Sequence, residues 1–237
     1  MSEVVIAHLY PRRMNIYGDT GNVIAVSRRL EWRGIPHRVD LVQVGSDYDL
    51  LDADVVVAGG GEDISQIEVA QDLAVRADNV RAAVDAGVSF LVVCGSYQLF
   101  GRRFIAADGS ELSGVGVFDA ETVGGEGRMI GNVIVQSDFG RLVGFENHGG
   151  RTMLGAGQTA LGTVVKGNGN NDTGSDEGAV TNNCFGTYLH GSVLPKNPGL
   201  ADELLTRGLR RRHGSVHLDS LDDELEMAAA RSAAGRP

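Results

Sequence analysis

Cysteine is scarce in this chain: Cys94 and Cys184 are the two thiols among 237 residues. They make no disulfide framework, and neither belongs to a C-x-x-C pair, so no zinc site is expected. Excess positive charge is missing too. The formal net charge is -10, which argues against nucleic acid as the main partner. No run of about 20 apolar residues occurs, and Met1 leads straight into the apolar stretch 4–10 without a basic segment before a long apolar core. The chain is therefore read without a membrane span or signal peptide, and a soluble, cytoplasmic protein is expected. Neither G-x-x-x-x-G-K-S/T nor G-x-G-x-x-G is found, so a phosphate cradle is possible in the glycine-rich loop but is the weaker reading; no cofactor or metal is expected. There is no internal repeat.

What remains is an ordinary globular composition, 42% hydrophobic and 22% charged, with 34 glycines. The length allows one large or two small domains and a sizeable core. Residues 4–10 read as a strand, 11–22 as a turn-rich loop, and 23–33 as a helix capped by Thr20 or Asn22 and ended by Gly34. An alternating strand follows at 37–44. Strand, helix, strand begins a parallel α/β sheet. Residues 54–58 form a fully apolar third strand that ends in Gly59-Gly60-Gly61, where ligands of open α/β sheets gather. Helix follows from about 64 to 86 as one or two segments, and then an apolar strand runs from 88 into Cys94.

Beyond Gly101 the texture changes to short apolar runs broken by Gly, Asn and Asp, read as short, partly antiparallel strands with long loops. His148 falls in a turn-like segment, and 167–178 reads as a mobile polar loop. A last strand, 184–189, ends at His190-Gly191-Ser192. A helix from about 200 to 212 closes the compact part. In the tail, Leu221, Leu225 and Ala228/Ala229 stand at helical spacing, which predicts an amphipathic helix that docks on this chain or on a partner. The expected fold is α/β, a mostly parallel central sheet flanked by helices, with added short antiparallel strands.

The chemistry centres on Cys94. A buried apolar strand that turns at Cys94-Gly95-Ser96 into a helix lifts the side chain at the turn out of the sheet, as the G-x-S-x-G elbow does for serine. The helix N-terminus behind it favours thiolate. Buried structural cysteine is the competing reading, and this stretch leaves both open. A cysteine nucleophile needs a base close in space. Of the six histidines, His190 ends a strand and faces the elbow if that strand joins the same sheet; otherwise it is polar surface.

Gly59-Gly60-Gly61, Cys94-Gly95-x-x-Gln98 and Tyr188-Leu189-His190, in this order, resemble the class I glutamine amidotransferases of the cobyric-acid-synthase type, a flavodoxin-like family. Residues 14–22, 144–148 and 187–191 are similar to the glutaminase subunits of lipid II isoglutaminyl synthases. The resemblance covers nearly all of residues 1–212 and implies a glutaminase domain there, with 213–237 a tail carrying the docking helix. It implies that Cys94 attacks the side-chain amide of L-glutamine and that His190 manages the proton. Gly95 and Gly60 would supply the oxyanion-hole amides. Arg128 would pair with the substrate α-carboxylate; without the family it reads as a solvated loop charge. Asn147 and Gln98 would help on the substrate side, Gln98 also bracing the elbow. The usual His-x-Glu is absent, so the site is either a dyad or borrows a carboxylate. The resemblance also implies a MurT-like, ATP-using Mur-ligase partner that receives ammonia and amidates lipid II. A cobyrinate-type amidotransferase and a non-catalytic scaffold subunit are the alternatives.

Overall fold

The apolar runs of the first half are buried throughout. β1 (Val4–Leu9), β3 (Val55–Ala58) and β4 (Ser89–Val93) have no exposed residue, as parallel strands covered on both faces require. The computed structural model describes residues 3–190 and 192–235, without the side chains of Asp63 and Ile64. Gly191, read at the end of the last strand, lies outside the described residues.

Between these strands run α1 (Thr20–Trp32), β2 (His37–Val42), α2 (Asp63–Val75) and α3 (Ala77–Asp85). α4 (Gly95–Phe100) follows β4 directly. Then come β5 (Arg103–Ile105), β6 (Glu111–Ser113), β7 (Ala120–Ser137), β8 (Gly140–Leu154), β9 (Gly162–Lys166), β10 (Asp176–Glu177), β11 (Ala179–Thr181) and β12 (Cys184–Thr187). The chain closes with α5 (Val193–Lys196), α6 (Pro198–His213) and α7 (Glu224–Ala234).

The central sheet has the order β11-β12-β4-β3-β1-β2. All of its pairs are parallel except β11 with β12. The second sheet, β10-β9-β7-β5-β6 with β8 on β7, is antiparallel apart from the β5–β7 pair. The α/β architecture read from the sequence is therefore present, but the antiparallel part is not made only of short strands. β7 and β8 form one hairpin of 18 and 15 residues. Its glycines and asparagines read as loop punctuation, yet a ladder held by cross-strand partners tolerates them. His148 consequently lies within β8, not in a turn.

Three further readings are corrected. α1 begins at Thr20, with Asp19 at its N-cap position and no side-chain cap; neither Thr20 nor Asn22 caps it. Asn15 Oδ1 instead accepts the Thr20 N–H, and Asn22 Oδ1 accepts the Leu194 N–H. The 167–178 segment is anchored: Asn170 is fully buried and exchanges hydrogen bonds with Gly178 N and O. In the tail, α7 packs on α5, β7 and β8 of its own chain, but the predicted face is turned outward. Leu225 is 79% exposed, while Ala230 is buried. Alanine on every side of a helix leaves little directional signal, so the packing decides its rotation.

Candidate active site

Cys94 stands between β4 and α4 with φ +51° and ψ −107°, a conformation that a residue with a Cβ rarely adopts and that persists only when its surroundings enforce it. Its N–H still belongs to the sheet, donating to Thr187 O at 2.8 Å, while its carbonyl already accepts from Gln98 N at 2.9 Å. Strand and helix thus meet on one residue, and the strand-to-helix turn throws the thiol out of the sheet. Cys94 is 7% exposed and lines a cavity of about 470 Å³. Cys184, by contrast, is fully buried inside β12, and burial pushes its thiol well above the ordinary range.

β12 lies beside β4 in parallel, with Thr187 opposite Val93. The chain beyond β12 carries His190, held by a two-way bridge with Phe145 of β8. The same sheet therefore delivers the cysteine and the histidine to one end. Gly60 presses against both: a Cβ added there would come within 2.8 Å of His190 Cε1 and 3.2 Å of the Cys94 Cβ. Tyr17 lays its ring edge on the imidazole, 4.5 Å between centroids. His190 is fully buried. Burial opposes its charge, but the neighbouring Cys94 and Asp19 outweigh it and push the imidazolium up to about 10.

Gln98 ties the elbow to its surroundings. Its Oε1 accepts from Gln66 Nε2 at 2.8 Å, and its Nε2 donates to the Tyr188 hydroxyl at 3.1 Å. Tyr188 continues to Thr152 and Thr122 of the hairpin. His148 stacks flat on the Tyr188 ring at 3.6 Å. Its Nδ1 meets the Gly150 carbonyl at 2.9 Å, which only accepts, so Nδ1 carries the proton. Beside it, burial works against the Glu146 charge, but the neighbouring His148, with Nε2 3.7 Å away, and hydrogen bonds from Asn168 and Gly169 hold that carboxyl below the ordinary range. Beneath the strand end, Glu177 accepts from Thr187 Oγ1 and Tyr188 N. Burial outweighs those bonds and pushes its carboxyl up to about 7.

Arg128 lines the cavity from an irregularity in β7, where the β7–β8 register shifts between Gly124 and Met129. Such a bulge re-aims a side chain. Asn147, expected on the substrate side, does not line the cavity; its side chain and carbonyl hold the Arg128 guanidinium at 2.7 and 2.6 Å. The Gly60 N–H, expected in the oxyanion hole, is given to Asp19 Oδ2 at 2.9 Å. Asp19 is the group that reading the sequence missed. It is fully buried, and its Oδ1 lies 3.9 Å from His190 Nδ1. In the chain it stands in a turn-rich loop, where aspartate is commonplace, and no local signal separates it from a cap.

The family model of the CobB/CobQ-like glutamine amidotransferase domain matches residues 5–198. Over 234 residues the chain is 38% identical to the GatD subunit of the glutamine-hydrolyzing lipid II isoglutaminyl synthase of Staphylococcus aureus (strain N315), covering 97% of this chain and 94% of the relative. The corresponding subunit of Streptococcus pneumoniae (strain ATCC BAA-255 / R6) is 37% identical over 229 residues, covering 95% and 88%. A solved glutamine amidotransferase from Thermotoga maritima shares the fold with a TM-score of 0.55 at 15% identity, covering 98% of this chain and 92% of that one. The chain belongs to the CobB/CobQ-like glutamine amidotransferases.

Proposed function

We propose that this chain is the glutaminase subunit of a lipid II isoglutaminyl synthase. It hydrolyses L-glutamine to glutamate and ammonia at Cys94 and His190. The ammonia passes to a MurT-type, ATP-dependent ligase that amidates the D-glutamate of lipid II to D-isoglutamine. Residues 1–212 form the glutaminase unit, and 213–237 a tail strapped to it. The observation that carries the reading is Cys94, held at φ +51° beside a buried histidine and lining a cavity. The two GatD relatives are subunits of glutamine-hydrolyzing synthases, which supports glutamine as substrate, and no helix among the described residues is long and apolar enough to cross a membrane.

The mechanism follows from the groups present. The Cys94 thiol gives its proton to His190, and the thiolate attacks the side-chain amide carbon of glutamine. The Gly95 N–H at the start of α4 receives the oxyanion, and each such donor is worth about 10²–10³ in rate. His190 returns the proton to the leaving nitrogen, ammonia departs, and a glutamyl thioester remains on Cys94. Water, deprotonated by His190, then releases glutamate and the thiol. Arg128, its Nε and one terminal nitrogen already on Asn147, meets the substrate α-carboxylate with the rest of its fork. The test is ammonia release from L-glutamine by the wild-type chain and by Cys94→Ser. Release by both alike, or by neither in the presence of the copurified ligase, sinks the reading and leaves a scaffold subunit.

A further inference from the structure

We propose that Asp19 is the positioning carboxylate of this site, orienting His190 through Nδ1 while it fixes the Gly60 amide. The inference rests on the glutaminase reading and supplies the acid that the chain lacks two residues after its histidine, where Ser192 stands.

Three observations carry it. Asp19 occupies the N-cap of α1, yet its side chain makes no capping bond there. N-cap aspartates ordinarily bind the first free amides of their own helix; this one is turned away, into the site. Its Oδ2 takes the Gly60 N–H, and its Oδ1 is buried without a hydrogen-bond partner among the described residues. Facing it at 3.9 Å is His190 Nδ1, also buried and without a partner among them. An orphaned acceptor opposite an orphaned donor is a pair that closes by a small shift, and catalytic hydrogen bonds are often long before substrate arrives.

The loop that carries Asp19 is fastened to the segment just past His190. Ser192 Oγ donates to Gly18 O at 2.6 Å, and Asn22 Oδ1 accepts from Leu194 N at 3.0 Å. Carboxylate and imidazole are thereby held as one unit. The groups that face His190 are Asp19, Cys94 and the Tyr17 ring edge. Behind Asp19 stands His8, whose imidazole burial keeps toward neutral, so it does not compete as a cation. A carboxylate on Nδ1 keeps the proton there and leaves Nε2 to receive the proton of the thiol. Without it, no partner on Nδ1 fixes the tautomer of the neutral imidazole.

Asp19→Asn tests this directly. Its amide oxygen still accepts from Gly60, so the loop packing survives, but its NH₂ group donates to Nδ1 and traps the useless tautomer. In the full chain, kcat for glutamine should fall by about 10²–10⁴, the upper value being that of the corresponding aspartate in a serine triad. KM should stay within about twofold, since Asp19 does not touch substrate. The alkaline limb of kcat/KM, where His190 loses its proton, should move to lower pH. An unchanged kcat, a loss confined to KM, or an unmoved alkaline limb overturns the proposal.

A second arm does not depend on glutamine hydrolysis. Iodoacetamide alkylation of Cys94 should slow about tenfold in Asp19→Asn at about pH 6, and the difference from wild type should close as the pH is raised. Equal rates at the lower pH overturn the proposal even if the wild type hydrolyses no glutamine, a result that would sink the glutaminase reading alone. If the variant misfolds, shown by alkylation of the buried Cys184, ¹⁵N shifts of His190 in the wild-type chain decide. Read above about pH 10, where the imidazole is neutral, a protonated Nδ1 supports the assignment, and a bare Nδ1 overturns it.

Discussion

His190 and His148 both adjoin the cavity region, but their surroundings assign them different work. His190 has Cys94 and Asp19 as neighbours and an imidazolium raised to about 10. His148 has its Nδ1 proton on a carbonyl and its ring on Tyr188. His190→Ala should lower kcat by about 10²–10⁴, the usual worth of a general acid–base group, and leave glutamine affinity in place. His148→Ala removes a stacked ring from the cavity wall; it should raise KM and lower the melting temperature while hydrolysis persists. Steady-state kinetics on the two variants separates the roles, and an equally dead His148→Ala with normal glutamine binding would reverse them. Glu177 is a further residue with a shifted titration. Its folded value of about 7 exceeds the ordinary 4.5, so the folded chain holds a proton that the unfolded chain has released. That contribution is complete below the unfolded value and is lost as pH rises through about 7. Glu177→Gln keeps the acceptor for Tyr188 N and has no charge to bury. It should flatten the stability loss between about pH 5 and pH 8, by an amount on the order of 3 kcal/mol, in denaturant titrations at the two pH values.

At the scale of the element, the β7–β8 hairpin is the substrate-side wall. Its bulge carries Arg128 into the cavity, and the facing strand carries Asn147, which grips the guanidinium from two sides. Arg128→Ala removes the proposed partner of the α-carboxylate, and Asn147→Ala only loosens its aim. KM for glutamine should therefore rise at least about tenfold in Arg128→Ala and by less in Asn147→Ala, since a charge-assisted pair is stronger than the bonds that orient it. An isothermal titration with the unreactive Cys94→Ser background reads this without turnover; equal affinities for all three chains would remove Arg128 from the binding site. The tail is fastened in a different way. Arg29, almost fully buried on α1, pairs with Asp202 of α6 and Asp223 at the head of α7, and Arg33 adds Asp202 and the Asp219 carbonyl. Two arginines thus bind three elements through part-buried carboxylates.

The whole molecule is a sheet end presenting one reactive centre, with the Gly59–Gly61 loop drawn down upon it. The Gly60 amide, given to Asp19, is not offered to an oxyanion in this arrangement. A chain on its own should therefore hydrolyse glutamine slowly. A ligase that moves the loop, releases that amide and closes the cavity should raise kcat, by up to the factor of about 10²–10³ that one oxyanion donor supplies. Comparison of kcat at saturating glutamine for the isolated chain and the complex checks this. Equal values would mean that the glycine loop already serves the reaction as it stands.

Much of the fold was legible because it is written in local pattern. Buried apolar runs with helices between them specify a parallel sheet whatever their tertiary neighbours are, and a strand that breaks at Cys94-Gly95-Ser96 into a helix specifies the elbow. The glycine loop, Cys94 and His190 were each placed at a strand end in this way, while their roles were read from the family resemblance. Other features had no local signature. The glycines and asparagines of 120–154 read as punctuation, because only the pairing of β7 with β8 converts them into one hairpin. The rotation of α7 was decided by what it packs against, since alanines on all sides leave the helix without a preferred face. Asp19 lies far from Cys94 and His190 in the chain and looks like any turn aspartate. Its role, and the diversion of the Gly60 amide, exist only once β1, β3, β4 and β12 have set their ends side by side. Sequence by itself determined which segments are strands and which residue sits on the elbow, because these are properties of a few consecutive residues. Tertiary structure alone decided which carboxylate meets the histidine, because that is a distance between segments that only the assembled sheet brings together.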